Sequence, residues 1–266
     1  MTTAGVIGWP ISHSKSPRIH RFWLEELGID GDYARFAVAP YQLAEALKGL
    51  PALGFSGVNV TVPHKVAVLS LLDRVEPVAR AIGAVNTILV RNRELVGTNT
   101  DMAGFLEPLA GFSAKTAVVV GAGGAARAVL MAMKELGVGH VTLLNRTPLR
   151  AAGLLRKLGV PGEARPLDSA LPAADLLVNA SPLGMAGAPP LVLDLAPLPP
   201  EAVVYDIVYA PLETALLRQA RERGLTTIDG LAMLIGQAAI AFERFYGVPP
   251  PRGRDPDLRR LLLGEA

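Results

Sequence analysis

The sequence predicts an α/β protein dominated by parallel strands, and two observations carry that expectation. In the first hundred residues, short apolar runs alternate with stretches whose apolar residues recur at helical spacing, giving a β-α-β-α-β order. Near the middle, the valine-rich run 116–120 passes through Gly121-Ala-Gly-Gly-Ala-Ala-Arg127 directly into a helical stretch. That is a strand, a tight turn and a helix in succession, the unit from which parallel sheets are built.

Composition sets the outer limits. The chain has 266 residues, half of them hydrophobic, enough for one large core or two modest ones. The formal net charge is only +2 and no Lys/Arg run forms a stripe, which argues against a nucleic-acid partner. The absence of cysteine excludes disulfides, thiolate-bound zinc and a thiol nucleophile. His13 has no visible metal partner and reads as structural, so no metal site is expected. The N-terminus lacks a basic region and reaches Pro10 too soon for a signal peptide. No apolar stretch approaches the ~20 residues that span a bilayer, so no membrane association is expected. The expectation is a soluble, cytoplasmic protein, whose hydrophobic excess is compatible with a homodimer.

Taken in order, residues 4–8 read as a buried strand stopped by Trp9-Pro10. Ser16 before Pro17 reads as an N-cap, with Ile19, Phe22, Trp23 and Leu27 on one helical face and Gly28 at its end. Ser14 and Ser16, beside the first-turn N–H groups, suit an anion, although taken alone they read better as a cap and a loop hydrogen bond. A strand over 33–39 and a helix over 41–50, with Leu43, Ala46, Leu47 and Leu50 on one face, lead to a strand over 56–62. There alternation sends Asn59 and Thr61 to one side and Val58, Val60 and Val62 to the other. Pro63 has no N–H and ends the strand, leaving His64 and Lys65 just past its carboxyl end, where open α/β sheets bind ligands. Alone, Lys65 would read as a surface lysine. Residues 66–72 and 77–82 read as helices, and 88–97 as a hairpin turning at Arg91-Asn92-Arg93. Asn86 precedes its first arm, and Asp101, after the second, is placed to cap a helix from Met102.

The second half opens on the glycine turn. Gly121 permits the bend, Gly123 lets backbone approach a pyrophosphate, and Ala126 keeps helix and strand close: the G-x-G-x-x-A pattern of a Rossmann dinucleotide-binding unit, its helix over 128–136. After the next strand, 141–144, an NAD binder usually carries an acid for the ribose 2′-hydroxyl. This chain has Asn145-Arg146-Thr147 and Arg150 instead. Arginines at a helix N-terminus oppose its dipole, so an anionic partner, the 2′-phosphate of NADP, explains them better. Strands follow over 176–179 and 203–209, the first running into a turn through Ser181, with Pro211 and Thr214 opening a helix. A last strand reaches Gly230, and a helix over 231–242 is apolar nearly all round except for Gln237. A buried amide must satisfy both its ends, within the protein or with a ligand hydroxyl. A polar-faced helix over 255–263 ends the chain.

With these pieces in line, the chain resembles the shikimate dehydrogenases over nearly its whole length. The resemblance is carried by Ser14-Lys-Ser16, Asn59-Val-Thr-x-Pro-x-Lys65, Gly83-Ala-x-Asn86-Thr, Gly97-x-Asn-Thr-Asp101, Gly121-Ala-Gly-Gly-Ala125, Asn145-Arg-Thr147, Asn179-Ala-Ser-Pro182 and Gly230-x-x-Met-Leu-x-x-Gln237. It implies a substrate domain over 1–100 and 238–266, an NADP-binding Rossmann domain over 101–237, and a C-terminal helix returning to the first. It also implies NADPH-dependent reduction of 3-dehydroshikimate to shikimate, with Lys65 and Asp101 as catalytic pair. Ser14 and Ser16, with Tyr209, would hold the substrate carboxylate; Asn59, Thr61, Asn86, Asp101 and Gln237 would hold its ring hydroxyls. Gly121, Ala122, Gly123, Gly124, Ala125, Asn145, Arg146, Thr147, Arg150, Ser181, Ile207 and Gly230 would line the cofactor.

The implied chemistry suits the residues. Hydride delivered to a ketone leaves negative charge on oxygen, which an ammonium can stabilise and protonate. A carboxylate beside Lys65 favours its charged form, making it an acid for reduction and a poor base for oxidation. Oxidation should then quicken toward alkaline pH. Two rivals are a quinate or quinate/shikimate dehydrogenase, using NAD, and a non-catalytic NADP-binding regulator; such a regulator could lose Lys65 or Asp101, and both are here.

Overall fold

The computed structural model describes residues 2–264 and consists of two compact units. The first holds the chain up to Thr100 and from Ile235 onward; the second is Asp101–Leu234.

In the first unit β1 (Thr2–Gly8), α1 (Ser16–Leu27), β2 (Gly31–Ala37), α2 (Leu43–Gly49) and β3 (Phe55–Val60) follow one another. Both β2 and β3 lie parallel to β1. β4 (Arg74–Val75), α3 (Pro77–Ile82), β5 (Thr87–Arg91) and β6 (Glu94–Thr98) come next, and the sheet order is β2-β1-β3-β5-β6-β4. The β5–β6 pair is antiparallel, joined through Asn92 (φ 51°) and Arg93 (φ 66°). Two successive positive φ angles give the turn whose twist matches the strands it joins. α1 buries Ile19, His20, Trp23 and Leu24, an i, i+4 face, and ends where Gly28 turns left-handed at φ 61°.

The second unit contains α4 (Asp101–Leu106), β7 (Thr116–Val120), α5 (Gly124–Glu135), β8 (His140–Asn145), α6 (Pro148–Leu158) and β9 (Gly162–Pro166). It continues through β10 (Leu176–Asn179), β11 (Val203–Asp206), α7 (Ala215–Glu222) and β12 (Thr226–Ile228). Its six strands are all parallel, in the order β12-β11-β10-β7-β8-β9. Such a sheet is covered on both faces. Val119, Leu143 and Val178 pack with Val129, Leu130 and Met133 of α5 on one side, while Val118, Val120, Leu144 and Leu177 meet Leu216 and Leu217 of α7 on the other. The order reverses between β7 and β10, the switch point where doubly wound sheets bind ligands. α8 (Gly230–Tyr246) begins in this unit and ends in the first, which α9 (Asp255–Leu263) closes.

Several boundaries differ from the sequence expectation. Lys15, not Ser16, is the N-cap of α1, and the cap-like acceptor is Ser14 Oγ, 3.3 Å from the Ser16 N–H. Asp101 is the first residue of α4 and not its cap. Pairing of β3 ends at Val60; Thr61 remains tethered by its N–H to the Ile7 carbonyl (3.0 Å), but Val62 has left the sheet and is exposed. The segment read as a helix over 66–72 is a 3₁₀ turn, Ala67–Leu71, because only Val68 in it is buried and no apolar stripe sustains more. α5 begins at Gly124 directly from the glycine turn, and β11 stops at Asp206 rather than reaching Tyr209.

Candidate active site

In the first unit the polar residues singled out from sequence form a buried hydrogen-bonded cluster. Asn59 Nδ2 donates to Thr87 Oγ1 (2.9 Å) and the Asn86 carbonyl (3.3 Å). Thr87 Oγ1 donates to Asn86 Oδ1 (3.0 Å), which also accepts the Thr100 N–H (2.8 Å). Asn86 Nδ2 donates to Thr100 Oγ1 (2.9 Å) and to Gln237 Oε1 (3.3 Å). Asn59 lies on β3, Asn86 and Thr87 lead into β5, Thr100 follows β6 and Gln237 lies on α8, so the sheet and its adjoining turns fix their spacing. A network satisfied this fully is rigid. It also holds the backbone immediately before Asp101, itself buried in the second unit.

Lys65 is half-buried on the turn after β3. Around it, the His64 N–H donates to the Thr61 carbonyl (2.9 Å), His64 Nε2 contacts the Val38 carbonyl (2.7 Å), and the Lys65 carbonyl accepts the Val85 N–H (2.7 Å). Backbone on both sides of the lysine is thus fixed while its side chain projects from a rigid turn. At the start of α1, Arg35 donates through Nε and Nη2 to the Ser14 carbonyl (2.8 and 2.6 Å), putting a guanidinium behind the Ser14–Ser16 loop. Tyr33, Arg35, Thr87 and Thr100 receive no role in the sequence reading. Thr87 and Thr100 lie within the quoted motifs; Tyr33 and Arg35 look like ordinary strand residues.

The second unit supplies the nucleotide-binding candidates. Gly121 has φ +103°, and a Cβ there would lie 3.0 Å from both the Ala180 carbonyl oxygen and Ser181 Cβ. Only glycine lets the β7 turn pass so close to the β10 turn. That second turn is shaped by Asn179, whose Oδ1 accepts from Ser181 N–H (3.1 Å) and Ser181 Oγ (2.7 Å). Gly230 is required in the same way: a Cβ would meet the carbonyl oxygens of Ile207 and Val208 at 2.4 and 2.5 Å. At the end of β8, Asn145 Nδ2 donates to the Thr147 carbonyl (3.0 Å). Arg127, one turn into α5, is a residue the sequence reading quoted without a role. Its pKa is lowered by burial and by the charge of Arg150, and its Nη1 is buried with no hydrogen-bond partner among the described residues. Two guanidiniums sharing a neighbourhood, one with an orphaned donor, fit an anionic group such as a nucleotide phosphate. Tyr209 and Ile207 follow β11, also in this unit. Among the described residues no cluster of three or more His, Cys, Asp or Glu could hold a metal, and no helix is long and apolar enough to cross a membrane.

Asp206, at the end of β11, accepts from Asn179 Nδ2 (2.9 Å), the Val208 N–H (3.0 Å) and Thr214 Oγ1 (2.8 Å). Burial nevertheless outweighs these bonds and raises its pKa to about 6. An acid with a raised folded-state pKa contributes stability that is full below its unfolded value of 3.8 and lost as pH rises through about 6. Asp206→Asn should flatten the decline in melting temperature between about pH 4 and pH 6.5, a difference on the order of 3 kcal/mol. Thermal unfolding of both proteins across that range checks it; parallel curves would remove Asp206 as the cause.

Three family models match the chain: shikimate dehydrogenase substrate binding domain over residues 6–88, shikimate/quinate 5-dehydrogenase over 106–182, and shikimate 5′-dehydrogenase C-terminal domain over 230–255. A curated shikimate dehydrogenase (NADP⁺) of Sphingopyxis alaskensis is 56% identical, the match covering 98% of this chain and 96% of that one. Shikimate 5-dehydrogenase of Thermus thermophilus, solved with NADP(H) and shikimate, superposes with a TM-score of 0.87 at 42% identity, covering 98% of this chain and 99% of the other. Quinate dehydrogenase of Corynebacterium glutamicum, solved with NAD, gives a TM-score of 0.88 at 33% identity, covering 99% of each chain.

Proposed function

Because the chain belongs to the shikimate dehydrogenase family, we propose that it catalyses the reversible, NADPH-dependent reduction of 3-dehydroshikimate to shikimate. The observation that carries this reading is the single hydrogen-bonded cluster joining Asn59, Asn86 and Gln237, three side chains suited to ring hydroxyls.

The first unit, which takes the chain up again at Ile235 and not at 238 and so includes Gln237, is the substrate part, and Asp101–Leu234 the NADP part. NADPH, when bound, supplies the hydride. Gly121, Ala122, Gly123, Gly124 and Ala125 face its pyrophosphate, and Asn145, Arg146, Thr147 and Arg150 its 2′-phosphate. Ser181, Ile207 and Gly230 border the rest. Ser14, Ser16 and Tyr209 hold the substrate carboxylate; Asn59, Thr61, Asn86, Asp101 and Gln237 orient the ring. As negative charge develops on the carbonyl oxygen, the Lys65 ammonium stabilises it and gives it a proton, with Asp101 balancing the lysine's charge.

The reaction takes place in the cytoplasm in this reading. Phe36 on edge strand β2, Tyr41 and Leu53 are exposed apolar side chains, and a homodimer, which light scattering would detect, belongs to this reading. The activity is tested by steady-state oxidation of shikimate and quinate, each with NADP and with NAD. Rapid turnover with shikimate and NADP is expected, with the other pairings at least about tenfold lower in kcat/KM. Preference for quinate or NAD would move the chain to the quinate dehydrogenase branch.

A further inference from the structure

The first unit contains an aromatic stack that none of these roles uses. His20 on α1 is fully buried, and among the described residues neither ring nitrogen has a hydrogen-bond partner. Burial holds its pKa down to about 3, so the ring is neutral. Leaving two buried ring nitrogens unsatisfied is unfavourable, and an aliphatic side chain would avoid it. What a flat ring adds is stacking: the imidazole lies against the Tyr33 ring, centroids 3.9 Å apart and planes 12° apart. Trp23, Phe242, Phe245 and Tyr246 enclose the pair.

The Tyr33 hydroxyl reaches a residue that the proposed function assigns to substrate. It donates to Asn59 Oδ1 at 2.6 Å. Burial raises the phenol pKa well above its ordinary value, so the hydroxyl keeps its proton. With Asn59 Oδ1 facing Tyr33, both Nδ2 hydrogens point at Thr87 Oγ1 and the Asn86 carbonyl. Asn59 therefore offers an incoming hydroxyl the second lone pair of its oxygen, an acceptor and not a donor.

We propose that Tyr33, braced by the His20 ring, is a positioning residue that fixes Asn59 with its amide oxygen as acceptor. The inference rests on the reading that Asn59 holds the substrate. Tyr33 touches no reacting atom; it acts through the Asn59 side chain.

Tyr33→Phe keeps the stack and removes the hydroxyl. The shikimate KM should rise about tenfold, with kcat within about twofold and the NADP KM unchanged. In an Asn59→Ala background the same change should add almost nothing, because the side chain it positions is gone. His20→Leu should raise the shikimate KM about threefold, and His20→Phe, which restores a flat ring, should bring it back. An unchanged shikimate KM in Tyr33→Phe, an equal rise in both KM values, or additive effects with Asn59→Ala would each overturn the proposal. Should Tyr33→Phe not fold, the two His20 variants decide: equal shikimate KM values overturn it. A wild-type enzyme inactive with shikimate and NADP defeats the functional reading and this inference together. An active wild type with unresponsive variants defeats this inference alone.

Discussion

Lys65→Met should lower kcat by roughly 10²–10⁴ while changing the shikimate KM only modestly. Methionine keeps the length and most of the apolar stem but has no proton to give and no charge to set against a developing alkoxide. The loss therefore falls on the transition state and not on ground-state binding. The turn that carries Lys65 is held by backbone contacts at Thr61, His64 and Val85, none of which uses the ammonium. The variant should thus fold and bind both ligands normally. Single-turnover kinetics, in which chemistry is observed directly, is the appropriate check. An unchanged rate of hydride transfer there would remove Lys65 from the mechanism.

Replacing Arg146 and Arg150 together with neutral residues should weaken NADP binding by roughly 10²-fold and leave NAD within about threefold. The two cofactors differ only at the 2′-phosphate, so the ratio of losses isolates contacts to that group. Burial, and after it the charge of Arg150, depresses the pKa of Arg127, whose buried Nη1 has no partner among the described residues. Two nearby guanidiniums repel in the free protein, and a phosphate between them would convert that cost into attraction. Titration calorimetry with each cofactor measures both affinities. Equal losses for NADP and NAD would mean that these arginines do not touch the 2′-phosphate.

How much of this is legible in the sequence depends on the range of the interactions involved. The β5–β6 hairpin follows from a polar turn between apolar arms, and the β7 glycine turn from local backbone requirements. β9, Gly162–Pro166, has no buried residue and no apolar pattern; only its pairing with β8 makes it a strand. β4 is two residues long and equally silent. Val62 reads as apolar-face because alternation is assumed to continue, yet β3 ends two residues earlier, at Val60.

The site divides the same way. Asn59, Asn86 and Gln237 stand out as polar residues in apolar surroundings, but that their amides bond to one another through Thr87 and Thr100 is a long-range fact. Tyr33 and Arg127 illustrate the limit. One occupies an ordinary buried strand position and the other an ordinary helix position. Their interest lies in a hydroxyl partner 26 residues away and in an unsatisfied guanidinium, neither of which local pattern encodes.

That this chain delivers hydride to one particular ketone is tested most directly by a single turnover. Enzyme loaded with NADPH is mixed with excess 3-dehydroshikimate, NADPH absorbance is followed, and the product is identified by NMR. The account predicts loss of one NADPH per active site with shikimate as the product. Retention of NADPH absorbance, in a protein that binds the nucleotide tightly, would contradict it and leave a nucleotide-binding regulator on a dehydrogenase scaffold.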